Sequence, residues 1–201
     1  MARTPTEAIN SYITDMLSLE DHIQKAVAAQ VGDFTDDHPQ VAQHLRTFDA
    51  TIQSHITTLK ALAESREADG GGVAEAVKRA GSVVAGLGAA AIDLVRSEKL
   101  PKNLRDDYTA FSLAHIGYLM LHTTALSLGD QEVAQVAQRH LTDYARAQLT
   151  LNDLIPAAVV KFLQQDGLPA RADVLKQVSQ NVAEAWRTQS SAAQNVQATN
   201  L

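Results

Sequence analysis

Five polar side chains stand where a helical pattern calls for apolar ones: Glu20, His55, Tyr118, His140 and Tyr144. A carboxylate in an apolar seam is costly unless it is paired or protonated. A buried imidazole needs a partner at each ring nitrogen. In a helical bundle, Glu and His from facing helices are the usual ingredients of a di-metal centre. The same residues also fit a second outcome, in which carboxylate, imidazole and two phenols satisfy one another and fix helix register. A two-iron carboxylate site takes one Glu from each of two helices and Glu-x-x-His from the other two. His55 is preceded at that spacing by Ile52. The expectation is therefore a satisfied polar cluster, with a single metal site or a small-ligand pocket as alternatives.

The remaining histidines are less telling. His22 is off its seam, His122 flanks one, His115 adjoins one and could turn inward, and His44 is expected at the surface. No cysteine is present to supply a thiolate nucleophile or an iron–sulfur ligand. No P-loop, dinucleotide fingerprint or nucleophile elbow occurs.

The elements that must hold these residues are helices. Thr4-Pro5-Thr6-Glu7 has the form of a capping box with proline at the first helical position. Ile9, Ile13, Met16, Glu20, Ile23 and Val27 then alternate by four and three, the spacing of a bundle seam. Val41, Leu45, Phe48, Ile52, His55, Leu59 and Leu62 repeat it, after a start at Asp37-His38-Pro39. A Gly-containing break at Asp69 to Gly72 precedes a third helix through Val77, Val84, Leu87, Ala91 and Leu94. Leu100 to Asn103 reads as a turn. The next helix carries Phe111, Ala114, Tyr118, Leu121, Ala125 and Leu128 and stops at Gly129-Asp130. Another carries Val133, Ala137, His140, Tyr144, Ala147, Leu151 and Leu154, with Pro156 expected to kink or end it.

The fold class is thus all-α: an antiparallel four-helix bundle over residues 1–166 with an additional helix, then a tail over 167–201. In that tail a short helix (Val174, Val178, Val182, Trp186) is expected to give way to a disordered polar end. Trp186 could dock on a partner.

The composition agrees. Of 201 residues, 45% are hydrophobic and only 4% aromatic, enough for a substantial core of closely packed helices. A net charge of −6 without clustered Lys or Arg argues against nucleic-acid binding through phosphates. The longest apolar stretch, Gly81 to Val95, is about 15 residues and too short to span a bilayer. The N-terminus does not read as a signal peptide, so a cytoplasmic location follows by default.

The run Leu17-Ser18-Leu19-Glu20-Asp21-His22-Ile23-Gln24-Lys25-Ala26 resembles the first-helix motif of ferritin-like bacterial stress proteins of the YciE/YciF type. Asn103-Leu104-Arg105-Asp106, Ile116-Gly117-Tyr118 and Leu128-Gly129-Asp130 extend the likeness, which covers roughly residues 8 to 155. The resemblance implies a ferritin-like bundle, a homodimer, a link to stress responses and an iron or manganese di-metal centre. Carried across, the family's ligands match Glu20 and His55. Other ligand positions fall on Ile52 or Thr51, near Ala114 beside His115, near Asp143 and Tyr144, and on Ala147. The expected function is a non-enzymatic, stress-associated or structural protein that has lost most di-metal ligands and holds no cofactor. The alternative is a metal-binding protein or oxidoreductase with a remodelled site. It would use Glu20, His55 and one or more of His115, Tyr118, His140 and Tyr144.

Overall fold

The computed structural model describes residues 3–68 and 99–197. Within them lie helices α1 (Pro5–Phe34), α2 (Pro39–Ala68), α3 (Lys99–Ser127), α4 (Gln131–Gln165) and α5 (Leu175–Gln197), with a 3₁₀ turn at Ala172–Val174. No strand occurs among the described residues. The protein is an all-α helical bundle. The expected helix through Val77, Val84, Leu87, Ala91 and Leu94 lies outside the described residues.

Local chemistry sets the helix ends. At Thr4 the capping box forms: the Thr4 N–H donates to the Glu7 carboxylate at 2.7 Å, and the Glu7 N–H donates to Thr4 Oγ1 at 3.2 Å. Two of the three amide N–H groups orphaned at this helix start are thereby satisfied, Pro5 having none. α3 ends in a Schellman motif, with Asp130 N–H donating to Ala125 O at 2.8 Å and Gly129 N–H to Leu126 O at 3.2 Å. The motif needs a left-handed residue, and Gly129 supplies it with φ of 80°. Asp130 then caps α4 by accepting from the Val133 N–H at 3.1 Å.

The chain forms two compact units, Met1–Gln148 and Leu149–Leu201, dividing within α4. In the first, side-chain contacts fix the helix directions. Gln24 meets Asp49, Glu20 meets His55 and Asn10 meets Arg66, so α1 and α2 are antiparallel. Gln30 meets Asp107 and Glu20 meets Tyr118, so α3 is also antiparallel to α1. Ser112 with Gln148 and His122 with Ala134 reverse direction again into α4. α2 and α3 therefore run the same way. The end of α2, where Arg66 pairs with Asp130 at 2.7 Å, and the start of α3 lie at opposite ends of the bundle.

The core follows the seams. Ile13, Val27, Leu45, Leu59, Phe111, Leu121 and Val133 are fully buried, and small residues (Ala114, Ala125, Ala137) let the helices approach. Ala42 is buried rather than Val41, and Leu128 is 43% exposed, one residue beyond the end of α3.

Three local expectations are corrected. Leu100 to Asn103 is not a turn but the first turn of α3, where Pro101 is tolerated because the first N–H groups of a helix have no intrahelical partner. Of the two expectations for Pro156, a kink or an end, the end is not met: α4 continues to Gln165, although an interior proline costs it a backbone donor. The polar C-terminal stretch is helical as far as Gln197, in keeping with its Ala and Gln content. In this second unit the Gly167 turn (φ 78°) closes α4 with a second Schellman pair. None of residues 175–187 of α5 is buried, and Trp186 is 53% exposed.

Candidate functional site

All five seam residues are buried and meet midway along the first unit, one helix supplying each side of the cluster: Glu20 from α1, His55 from α2, Tyr118 from α3, His140 and Tyr144 from α4. Glu20 is at the centre. The Tyr118 hydroxyl donates to Oε1 at 2.5 Å and the Tyr144 hydroxyl to Oε2 at 2.6 Å. His55 Nδ1 lies 3.1 Å from Oε1, and its Nε2 lies 3.3 Å from Asp143 Oδ2 on α4. Each ring nitrogen of His55 thus faces a carboxylate oxygen. The two phenol bonds have the short length of strong hydrogen bonds to an ionisable acceptor, and in a dry interior the members of such a network reinforce one another.

His140 belongs to the cluster by packing. Its ring stacks on His55 with centroids 3.8 Å apart and planes 20° from parallel, and it meets Tyr118 edge-on at 4.9 Å. Its Nδ1 is buried without a hydrogen-bond partner. Burial, then the nearby His55 and Arg139, pushes its pKa down to about 3, so the imidazole is neutral across the physiological range. Burial and the Glu20 charge hold both Tyr118 and Tyr144 well above the ordinary phenol value, which keeps them as hydrogen-bond donors.

One potential ligand atom from each of Glu20, His55 and His140 lies within 4.8 Å of the others, which is within reach of a shared cation. The donor types suit a divalent transition metal, two imidazoles and one carboxylate being a familiar set. Their orientation suits it less well. A metal sits in the plane of each imidazole that binds it, about 2.1 Å from the nitrogen. Two nearly parallel rings 3.8 Å apart cannot both have one ion in their planes. One ring must turn before this trio can chelate.

His115 stays outside the cluster, half-buried on α3 with its pKa lowered by burial. His122 is engaged elsewhere, its Nδ1 2.8 Å from the Ala134 carbonyl. Ile52 and Ala114, which fall on ligand positions of the resembled family, are buried and apolar. On the outside, a groove of about 620 Å³ lined by polar side chains of α2, with Asp143, reaches His55. Of the cluster, His55 alone borders it.

A second buried polar pair, Gln30 with Asp107, is not among the five seam residues, although the sequence carries its signal. Extending the α1 seam from Val27 by three reaches Gln30, and by four more reaches Phe34. Extending the α3 seam back from Phe111 by four reaches Asp107, and by three more reaches Leu104. All four positions are buried.

No family model matches this chain, and no curated protein does. Among solved structures, a protein of Xanthomonas campestris pv. campestris is similar, with a TM-score of 0.64 at 18% identity over 82% of this chain and 99% of the other. At that identity the likeness bears on the fold alone.

Proposed function

We propose that this chain is a ferritin-like, non-enzymatic protein with a structural or stress-associated role, in which a hydrogen-bonded cluster occupies the place of a di-metal centre. The observation that carries the reading is the engagement of both Glu20 oxygens by side chains. Both carboxylate oxygens accept from tyrosine hydroxyls, and His55 approaches one of them as well. A bridging carboxylate needs those lone pairs for metal. The helix directions support the ferritin-like part, because a bundle whose second and third helices run the same way needs one long crossover, as ferritin-like folds do. Leu113, Ile116 and Met120 on α3, each about half exposed, support a homodimer through that helix. The test is metal content after anaerobic exposure to ferrous or manganous ion and desalting. Only trace metal is expected. A bound metal pair that disappears in Glu20→Ala and His55→Ala would overturn the proposal.

One observation favours a second reading, a mononuclear site. His140 presents a neutral imidazole with an unpartnered buried nitrogen close to Glu20 and His55. A metal there would act by polarising bound oxygen or peroxide. This reading predicts one metal per chain, lost in His140→Phe while Tyr118→Phe retains it.

A further inference from the structure

Away from the central cluster, toward the end of α1 and the start of α3, Gln30 and Asp107 face each other in the core, 9% and 4% exposed. The Gln30 Nε2–H donates to Asp107 Oδ1 at 2.7 Å. What remains are two oxygens, Gln30 Oε1 and Asp107 Oδ2, both buried and both without a partner. Two orphaned acceptors in one buried pair are expensive, because each has lost its water without gaining a donor. A single proton removes the problem. A primary amide and a carboxylic acid are complementary: the amide N–H donates to the acid carbonyl, and the acid O–H donates back to the amide oxygen. Turning the Gln30 amide over leaves the same shortage of one donor.

We propose that Asp107 is a carboxylic acid in the folded protein and forms a two-hydrogen-bond acid–amide pair with Gln30, a latch between α1 and α3 that opens when the acid ionises. The electrostatic surroundings agree. Among the described residues no cation pairs with Asp107. From α3, Asp106 adds a neighbouring negative charge and is itself held by Arg105 at 2.6 Å. From α1, the charged group one turn beyond Gln30 is Asp33, exposed at the surface. From the facing part of α2, Arg46 is turned to Thr35 Oγ1 at 3.0 Å. Burial is the main cause and Asp106 a further one of a carboxyl pKa near 7, against a partial opposing pull from the Gln30 N–H.

The sign of the pH effect follows. The folded-state pKa, about 7, exceeds the ordinary 3.8, so the folded protein holds a proton that the unfolded chain has released. The latch's contribution is complete below about pH 4, declines as pH rises, and is gone above about 7. The device therefore loosens one end of the bundle on passing from mildly acidic to neutral or alkaline conditions.

The test uses the full chain labelled with ¹³C at aspartate carboxyls, the Asp107 resonance being assigned by its loss in Asp107→Asn. The carboxyl shift is expected to titrate with a midpoint near 7. A midpoint in the usual carboxylate range overturns the proposal. In the infrared, Gln30→Leu is expected to move the protonated-acid carbonyl band at pH 5.5 to higher frequency, because a hydrogen-bonded carbonyl absorbs lower. An unmoved band overturns the pairing. In thermal unfolding, the Tm of Asp107→Asn relative to wild type is expected to climb between pH 4 and 7 and then level off. A pH-independent difference overturns the latch.

Discussion

The middle of the bundle and the Gln30–Asp107 end are built from the same kind of residue on the same seams of α1 and α3, yet they balance their hydrogen bonds in opposite ways. In the middle, one carboxylate receives two phenolic donors and an imidazole, so negative charge is the form the site accommodates. At the end, one carboxyl receives a single amide donor and leaves two acceptors unsatisfied, so the neutral acid is the form that fits. Helix positions that look alike in sequence thus carry opposite charge preferences, decided by how many donors the facing helices bring. A third polar layer, where Arg66 joins Asn10 to Asp130, solves the same problem with a full cation.

The largest effect expected from breaking this contrast is in the middle. Glu20→Leu removes the shared acceptor and strands the Tyr118 and Tyr144 hydroxyls and His55 Nδ1. A loss of about 3–5 kcal/mol is expected in urea unfolding, the range for breaking a buried polar pair. A loss below about 1 kcal/mol would show that the middle is not held by this carboxylate.

Next come the donors. Tyr118→Phe and Tyr144→Phe are each expected to cost about 1.5–3 kcal/mol, as for a hydrogen bond to a charged group. Because both donate to Glu20, the double variant should depart from additivity by about 0.5 kcal/mol or more. Strict additivity would mean that the two phenols do not act through one acceptor.

The pH response sharpens the comparison further. His140 in the middle has its pKa depressed from 6.5 to about 3, so its contribution is present above about 6.5 and is lost as pH falls toward 3. Asp107 acts in the reverse sense between about 4 and 7. Where the windows overlap the two slopes oppose each other. Asp107→Asn should unmask stability that rises with pH, and His140→Gln stability that falls, each by at most about 1.4 kcal/mol per pH unit. Denaturation midpoints of both variants at half-unit pH steps check this, and slopes of the same sign would remove the contrast.

The smallest effect is steric. A Cβ at Gly117, beside Tyr118, would come within 2.5 Å of Met16 Sδ, the far end of a flexible side chain. Helix propensity gained and Met16 displacement should roughly offset, leaving Gly117→Ala within about 1 kcal/mol of wild type in the same unfolding assay. A much larger loss would mean that close helix approach, rather than the polar cluster, holds the middle.

The seams, the capping box and the glycine stops were legible in the sequence because each rests on short-range chemistry: a period, a side chain three residues from its own backbone, a left-handed turn. Pro101 reads as a break but sits in the first turn of α3, where no intrahelical donor is needed, whereas Pro156 sits inside α4, which continues past it despite the lost donor. The five seam residues Glu20, His55, Tyr118, His140 and Tyr144 could be singled out one at a time as polar groups in apolar slots. Asp107 and Gln30 lie on the same seams, one turn beyond Phe111 and Val27, and are legible by the same spacing.

Periodicity determined which residues face inward, because a helix fixes side-chain direction every 3.6 residues whatever surrounds it. What it could not determine is which inward residues meet. That depends on the direction and axial offset of four helices, quantities set by the packing of the whole core and carried by no single segment. Only the tertiary structure decided that Glu20 receives two tyrosines, that His140 stacks on His55 with a nitrogen to spare, and that Asp107 finds an amide instead of a cation.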